Sequence, residues 1–227
     1  MHDSAHSIPL RFLQRIEELL DDEFLPFGRI YSYPAITGLR LNTLKIDDPD
    51  RFIDDSINAG SQSFKKLQKV IWCQTGYFSR EDIQAGKHPY HAAGLYYIQD
   101  PSAMAVAEIL APEPGERVLD LSAAPGGKTT HLAALMANQG LLVANEIHPR
   151  RVWELAENLE RCGVTNAVVL NETPQRLAVK FDAYFDRVLV DAPCSGEGMF
   201  RKSAAARQDW SPELVRSCAI RQSAAHF

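Results

Sequence analysis

The chain has 227 residues, enough for one large domain or for a medium domain with a smaller partner. Hydrophobic residues make up 45% and charged residues 23%, with 13 Gly and 13 Pro, which excludes collagen-like, coiled-coil and disordered proteins. The net charge is −5. This balance argues weakly against a nucleic-acid partner, because such proteins usually carry a basic face, although a sum over residues does not reveal a local basic groove.

Targeting and spanning signals are missing from the sequence pattern. No apolar run approaches the roughly 18 residues that cross a bilayer. The segment Met1 to Leu10 lacks the basic-then-apolar order of a secretion signal. These observations predict a cytoplasmic protein with no membrane partner.

The cysteines and histidines give no metal or disulfide pattern. Cys73, Cys162, Cys194 and Cys218 stand far apart without a CxxC pair, so neither a disulfide framework nor a zinc site is predicted. His88 and His91 have H-x-x-H spacing but no further ligand cluster supports them. We therefore expect no metal site, and we expect Cys73, Cys162 and Cys218 to be small core residues.

The first part of the chain predicts a small α+β domain over residues 1–95. Leu10 to Phe24 carries apolar residues at helical spacing, and Gly38 to Ile46 alternates apolar and polar residues as a strand does. A second helix is predicted from Asp50 to Ala59, with Asp48 to Asp50 able to cap its start.

From residue 96 to residue 227 strands alternate with helices, which predicts a doubly wound, Rossmann-like α/β domain with a parallel sheet. The predicted helices are Gly127 to Ala137 and Pro149 to Cys162. The predicted strands are Arg117 to Leu121, Gly140 to Glu146, Ala167 to Glu172 and Phe185 to Asp191. Ligands of such sheets bind beyond the carboxyl ends of the strands, so we expect the functional site there.

The first of these strands leads into a loop of small residues, Leu121 to Thr129. Two glycines at a strand-to-helix turn let a ligand approach the backbone and the free N–H groups of the helix start, which indicates a nucleotide-type loop. A tight turn without a ligand is the simpler alternative. A phosphate loop is the other alternative, since Gly127-Lys128-Thr129 matches the end of that motif, but Ser122 replaces its first glycine and Pro125 lacks an N–H.

Acidic residues end the next two strands. Glu146 follows Gly127 by nineteen positions, which suits a carboxylate that accepts hydrogen bonds from a ribose diol, although a solvated surface acid is the bland alternative. Glu172 either reaches an adenine edge or serves as a helix-entry acid before Thr173 and Pro174.

The fourth strand ends in Asp191, and Cys194 follows on a Pro- and Gly-bent loop. An acid and a thiol three residues apart suit a reaction that needs a nucleophile or base with a hydrogen-bond partner. On these residues alone, Cys194 is the candidate nucleophile. Arg201 and Lys202 follow and could hold a phosphate backbone, although adjacent basic residues are usually solvated.

Taken together, DLSAAPGGKTTHL (Asp120 to Leu132), the Glu146 strand end and DAPCSGEGMFRK (Asp191 to Lys202) resemble the Sun-type family of AdoMet-dependent RNA cytosine-5 methyltransferases. The segments GLYYIQDPSAM (Gly94 to Met104) and GLRLNTLKI also resemble that family, so the similarity spans nearly the whole chain. The resemblance is closest to bacterial members that act on ribosomal RNA.

The resemblance implies S-adenosyl-L-methionine (AdoMet) as cofactor and RNA as partner, rRNA being favoured and tRNA possible. It implies Glu146 at the ribose, Glu172 near the adenine, and Asp191 between cofactor and target base. Arg151 matches a basic residue often found after the ribose acid and is a further cofactor-binding candidate, with bracing of the loop as its alternative role. Relatives commonly carry Asp where this chain has Glu172. The residues implied around the methionine part are Ala123, Ala124, Pro125, Gly126, Gly127, Lys128 and Thr129.

The same resemblance changes the expected role of Cys194. Carbon 5 of cytosine becomes nucleophilic once a thiolate adds to carbon 6. The family resembled uses two cysteines, a nucleophile in a Thr-Cys motif and a helper in the Pro-Cys loop, which Cys194 matches. No Thr-Cys pair occurs in the chain, so we expect a C-terminally truncated fragment, inactive alone. The alternatives from other classes are a catalytically silent RNA- or protein-binding module and a nucleotide hydrolase.

Overall fold

The computed structural model describes residues 8–223. Its helices are α1 Leu10–Leu20, α2 Phe24–Arg29, α3 Pro49–Asn58, α4 Pro89–Ala92, α5 Pro101–Leu110, α6 Gly127–Leu135, α7 Pro149–Cys162, α8 Pro174–Lys180, α9 Ala204–Asp209 and α10 Pro212–Ser223. Its strands are β1 Thr37–Leu41, β2 Gln68–Lys69, β3 Gly76–Ser79, β4 Tyr96–Ile98, β5 Arg117–Asp120, β6 Leu141–Asn145, β7 Ala167–Leu170 and β8 Arg187–Leu189. Within residues 8–223, no helix combines the length and the apolar character that a bilayer crossing needs.

The chain divides into two compact units. One is Ile36–Asp191, and the other joins residues 8–35 to residues 192–223. This division differs from the boundary at residues 95 and 96 expected from sequence, which stays a prediction. The sequence pattern changes where strands begin to alternate with helices, whereas the contacts join both sheets into one unit.

The first sheet of Ile36–Asp191 is antiparallel, with strand order β2-β3-β1-β4. Leu39 pairs with Tyr77 on one side and with Ile98 on the other. Leu39 and Tyr77 are buried in one apolar cluster with residues of α3 and the segments between strands. Asp48 caps α3 by accepting from the backbone N–H of Arg51 at 3.0 Å, as the sequence predicts.

The second sheet is parallel, with strand order β7-β6-β5-β8. Asp120 at the end of β5 pairs with Ala144 of β6 and with Leu189 of β8, so the carboxyl ends of these strands lie at one edge. The parallel sheet and its crossover helices confirm the Rossmann-like α/β class. The four sequence-predicted strands are all present, each one to four residues shorter than predicted.

Both faces of the two central strands of the parallel sheet, β5 and β6, are buried. Val118 and Leu142 pack with residues of α5 and α6, and Ala144 packs with Leu155 of α7. Leu119 alternates to the opposite face and is also fully buried. Hydrophobic burial on both faces explains why these strands read as continuous apolar runs in the sequence.

The unit formed by residues 8–35 and 192–223 is built on an aromatic cluster. Phe12 lies with its ring centroid 4.9 Å from that of Phe200 and 5.8 Å from that of Trp210. The predicted helix Leu10 to Phe24 ends earlier, at Leu20, because Asp21 takes a φ of +45° and a short 3-10 turn follows.

Candidate functional site

The loop after β5 approaches its neighbours closely because its residues are small. Gly126 has a φ of +108°, and a Cβ there would lie 3.3 Å from Leu155 of α7. A Cβ on Gly127 would lie 3.0 Å from the ring of Tyr97. The loop is tied to β6, since the Ala123 N–H donates to the Asn145 carbonyl at 2.8 Å. Glycine is therefore favoured by the positive φ at Gly126, and a Cβ at Gly127 would have to displace the Tyr97 ring by a few tenths of an ångström.

Glu146 lies directly after β6 and its side chain is only 3% exposed. Its Oε1 accepts from the backbone N–H of His148 at 2.9 Å. Its Oε2 lies 3.1 Å from Nη1 of Arg151 but has no partner with hydrogen-bond geometry among residues 8–223. The Arg151 contact is thus an ion pair without an aligned N–H, and a buried carboxylate oxygen that lacks an aligned donor can accept from a ligand hydroxyl.

Two side chains of α7 hold the backbone of the loop. Nη2 of Arg151 donates to the Ala124 carbonyl at 2.5 Å, and Nδ2 of Asn158 donates to the Pro125 carbonyl at 2.9 Å. Arg151 thus connects Glu146 to the loop, and its role toward the cofactor stays a prediction. Asn158 was not expected from the sequence, although its polar side chain lies one turn beyond the buried Leu155.

Glu172 follows β7 and is fixed through its backbone. Its N–H donates to Oδ1 of Asn145 at 3.0 Å, and its carbonyl accepts from Nδ2 of Asn145 at 3.0 Å. Its carboxylate pairs with Arg176 of α8 at 2.9 Å. This pairing fits a helix-entry acid, and it leaves the adenine contact of Glu172 a prediction.

Asn145 joins three strand ends and was not singled out by the sequence. Besides Glu172, its Nδ2 donates to the Leu121 carbonyl at 3.1 Å, and its own side chain is buried. A polar residue at the last position of a buried strand is the sequence signal that points to it.

Lys128 and Asp191 form an ion pair, with Nζ 2.5 Å from Oδ2. The Lys128 side chain is 20% exposed and the Asp191 side chain 53% exposed, so the carboxylate is open to solvent. Lys128 therefore holds the carboxylate of Asp191, which follows β8, through an ion pair.

Asp120, the last residue of β5, is a further acid at this edge of the sheet. The sequence pattern did not single it out as a candidate site residue. Thr129 Oγ1 donates to its Oδ2 at 2.7 Å, while Oδ1 is buried without a partner. Burial raises the pKa of Asp120 to about 6, against the lowering effects of Thr129 and Lys128.

Cys194 is exposed, whereas Cys73, Cys162 and Cys218 are buried as expected. It belongs to the other compact unit, three residues after Asp191 along the chain. Within that unit Glu197 accepts from the Trp210 indole at 2.8 Å.

His88 caps α4 by accepting from the Tyr90 N–H at 3.2 Å, which gives it a structural role.

Two family descriptions match the chain. That of "16S rRNA methyltransferase RsmB/F" matches residues 107–225, and that of "N-terminal domain of 16S rRNA methyltransferase RsmF" matches residues 8–101. The first match covers just over half of the chain. The chain therefore belongs to the RsmB/F family of 16S rRNA methyltransferases, and AdoMet is the cofactor that this membership supports.

Curated relatives agree with this membership. "Ribosomal RNA small subunit methyltransferase F" of Vibrio vulnificus strain YJ016 is 39% identical over 98% of this chain and 47% of its own length. The protein of the same name from Aeromonas hydrophila is 40% identical, with the same coverage. The chain thus spans about half the length of the curated relatives it matches.

Solved structures agree on the fold. The crystal structure of PH0851 has a TM-score of 0.85 at 26% identity, covering 96% of this chain and 48% of that one. NSun6 from Pyrococcus horikoshii, solved with SFG, has a TM-score of 0.79 at 18% identity, covering 97% and 79%. The family assignment confirms the resemblance read from the motifs, and it favours a methyltransferase over the phosphate-loop alternative.

Proposed function

We propose that the complete protein transfers a methyl group from AdoMet to carbon 5 of a cytosine in rRNA, and that the strand ends of Ile36–Asp191 bind the cofactor. The supporting observation is the buried Glu146, whose Oε2 lacks a hydrogen-bonded partner at the edge of the sheet where Gly126 and Gly127 allow close approach. RNA methylation of ribosomal subunits agrees with a cytoplasmic location.

The proposed cofactor site divides among the strand ends. Glu146 accepts from the ribose hydroxyls, Arg151 holds both Glu146 and the loop, and Glu172 lies toward the adenine. Loop residues Ala123 to Thr129 surround the methionine part. AdoMet supplies an electrophilic methyl group on a sulfonium.

The proposed target chemistry uses Asp191 and Cys194. A carboxylate at Asp191, with Lys128 beside it, accepts a hydrogen bond from the exocyclic amine of cytosine, which uracil lacks. Cys194 promotes deprotonation of carbon 5 and release of the enzyme. The thiolate that adds to carbon 6 comes from a second cysteine in the complete protein.

Calorimetry on the 227-residue chain tests the cofactor site. We expect AdoMet to bind and ATP with magnesium not to compete, and Glu146→Ala to weaken AdoMet binding by about 1–3 kcal/mol, because a charge-assisted hydrogen bond is lost. Glu157→Ala, an exposed acid on α7, is the matched control and should bind as the unaltered chain does.

Equal AdoMet affinity in Glu146→Ala and Glu157→Ala would remove Glu146 from the site. Glu146→Gln keeps the side-chain shape, so a loss shared by both Glu146 variants shows that the charge matters rather than local packing. A chain that binds RNA but no AdoMet would instead support the silent binding module.

A further inference from the structure

Three potential metal ligands come together from α5, α6 and the β2–β3 loop. Cys73 lies in the loop between β2 and β3, Glu108 on α5 and His131 on α6. Nε2 of His131 lies 3.2 Å from Oε1 of Glu108 and 3.9 Å from Sγ of Cys73. All three ligand atoms lie within 4.8 Å of one another. No role in the proposed methyl transfer uses these side chains.

Two of the three separations are close to those of ligands around one tetrahedral ion. Zinc lies about 2.3 Å from Cys sulfur and about 2.0–2.2 Å from His nitrogen or carboxylate oxygen. Tetrahedral angles then place nitrogen and oxygen about 3.4 Å apart, and sulfur about 3.6 Å from nitrogen or oxygen. The observed 3.2 Å and 3.9 Å require shifts of a few tenths of an ångström. The third pair, Cys73 Sγ and the Glu108 carboxylate, lies within 4.8 Å, so the partly exposed Glu108 side chain closes by up to about 1.2 Å on binding.

The position of His131 favours an imidazole ligand. Its side chain is 2% exposed, and its Nε2 lies 3.2 Å from Oε1 of Glu108 and 3.9 Å from Sγ of Cys73. An imidazole nitrogen is a common metal ligand. A Cys sulfur binds a metal as the thiolate, so binding displaces the thiol proton.

The cluster also has an entry path. Cys73 and His131 are buried, whereas the Glu108 side chain is 31% exposed. A cation can reach the three ligands from the Glu108 side, with a water in the fourth position. Sulfur, imidazole and carboxylate together suit zinc-like divalent ions rather than calcium or magnesium, which prefer oxygen.

We propose that Cys73, Glu108 and His131 form a binding site for one zinc-like divalent transition-metal ion, which ties the β2–β3 loop to the helix that starts at the cofactor loop. Binding forms a sulfur–metal bond and releases the Cys73 proton to solvent. This proposal differs from the sequence-based expectation of no metal site. The sequence carries no signal for it, because the three ligands are 35 and 23 positions apart and no spacing motif joins them.

The affinity is expected to be moderate. Nδ1 of His131 is buried without a hydrogen-bond partner, so the ring lacks the outer acceptor that usually orients a metal-bound imidazole. Loss of such an acceptor typically costs about 10–100-fold in affinity.

Cobalt titration of the chelator-treated 227-residue chain tests the site, because a Co²⁺–thiolate bond has a charge-transfer band in the near ultraviolet. We expect one Co²⁺ per chain to give this band and Zn²⁺ to displace it. Cys73→Ser should abolish the band. Cys194→Ser, which removes the exposed thiol, should leave the band unchanged.

A band that is absent from the unaltered chain, persists in Cys73→Ser or disappears in Cys194→Ser overturns the proposal. Glu108→Gln is a second test in case the Cys73 variant does not fold, because the partly exposed Glu108 side chain can be changed with little effect on folding. It should weaken Co²⁺ binding at least tenfold with an unchanged circular dichroism spectrum, and unaltered affinity contradicts the site. AdoMet binding is not needed for any of these results.

Discussion

Asp120 shows how a single carboxyl group couples the site to pH. It is the last residue of the central strand β5, and its Oδ1 has no partner in the described structure. The raised pKa means that the folded chain holds this proton more tightly than the unfolded chain does. The charged form is therefore disfavoured beside the proposed methionine site, where Asp191 adds a second negative charge.

In the folded chain the pKa of Asp120 is about 6, above the ordinary aspartate value of 3.8 that applies to the unfolded chain. The stabilisation from Asp120 is fully present below pH 3.8 and is lost as pH rises through about 6. A shift of two units corresponds to about 3 kcal/mol. We expect Asp120→Asn to gain stability relative to the unaltered chain by up to this amount between pH 4 and pH 7.

Urea unfolding at several pH values, with chelator present, measures this difference. Asp182→Asn, an exposed acid, is the control and should follow the unaltered chain within about 0.5 kcal/mol. A stability difference between Asp120→Asn and the unaltered chain that stays constant from pH 4 to pH 7 contradicts the prediction.

Elements with strong local signals could be predicted from the sequence. The helix Pro149 to Cys162 was predicted at both ends, because Pro149 begins it and Gly163, with a φ of +75°, ends it. The strand ends that carry Glu146 and Asp191 were found because apolar runs stop there. The extent of β8 was not predicted correctly. The strand pattern of the sequence runs from Phe185 to Asp191, whereas the segment that pairs with β5 is Arg187–Leu189.

Contacts between distant elements could not be predicted. Nε of Arg40 on β1 donates to Oε1 of Gln99 at 3.0 Å, and its Nη2 donates to Oγ1 of Thr130 at 2.9 Å. Arg40 is 1% exposed, and burial lowers its pKa to about 10. In the sequence Arg40 looks like the exposed polar residue of an alternating strand. The cluster of Cys73, Glu108 and His131 could not be predicted either, because its members are also brought together from distant positions in the chain.

Arg40 therefore links β1 to the first turn of α6, and its removal should be costly. We expect Arg40→Met to reduce the free energy of unfolding by about 1–3 kcal/mol, because buried acceptors on Gln99 and Thr130 lose their donor. Urea unfolding measures the change.

Arg51→Met is the matched control. The Arg51 side chain is 79% exposed and pairs with Asp55 at 3.6 Å, so the change should stay within about 0.5 kcal/mol. Equal stability losses in Arg40→Met and Arg51→Met would show that the buried guanidinium contributes no more than a surface one.

At the scale of the whole molecule, the family relatives are about twice as long as this chain. Residues 8–223 contain the strand ends that we propose for AdoMet and the exposed Cys194. The proposed chemistry needs a second thiol, and no Thr-Cys pair occurs in the chain. The role of Cys194 is therefore a question for the complete protein.

If Cys194 is the helper, Cys194→Ala in the complete protein should still form a covalent adduct with cytosine-containing rRNA and should accumulate it, because addition proceeds while elimination stalls. Denaturing gels with labelled RNA detect the adduct. The 227-residue chain should form none, even with saturating AdoMet. An adduct formed by this chain and abolished by Cys194→Ala would make Cys194 the attacking thiol.

The bond from Arg40 to Thr130 also constrains recombination between relatives. A chimera that joins one homologue's residues 36–101 to another's residues 107–191 places a foreign β1 against a native α6. Where the donor lacks a buried arginine, Thr130 and the Gly127 carbonyl lose a shared donor directly below the glycine turn. Such hybrids should lose about 1–3 kcal/mol of stability, as expected for Arg40→Met, whereas hybrids whose donor keeps the arginine should not. The sequence-defined N-terminal region is therefore interchangeable only between relatives that keep this pair.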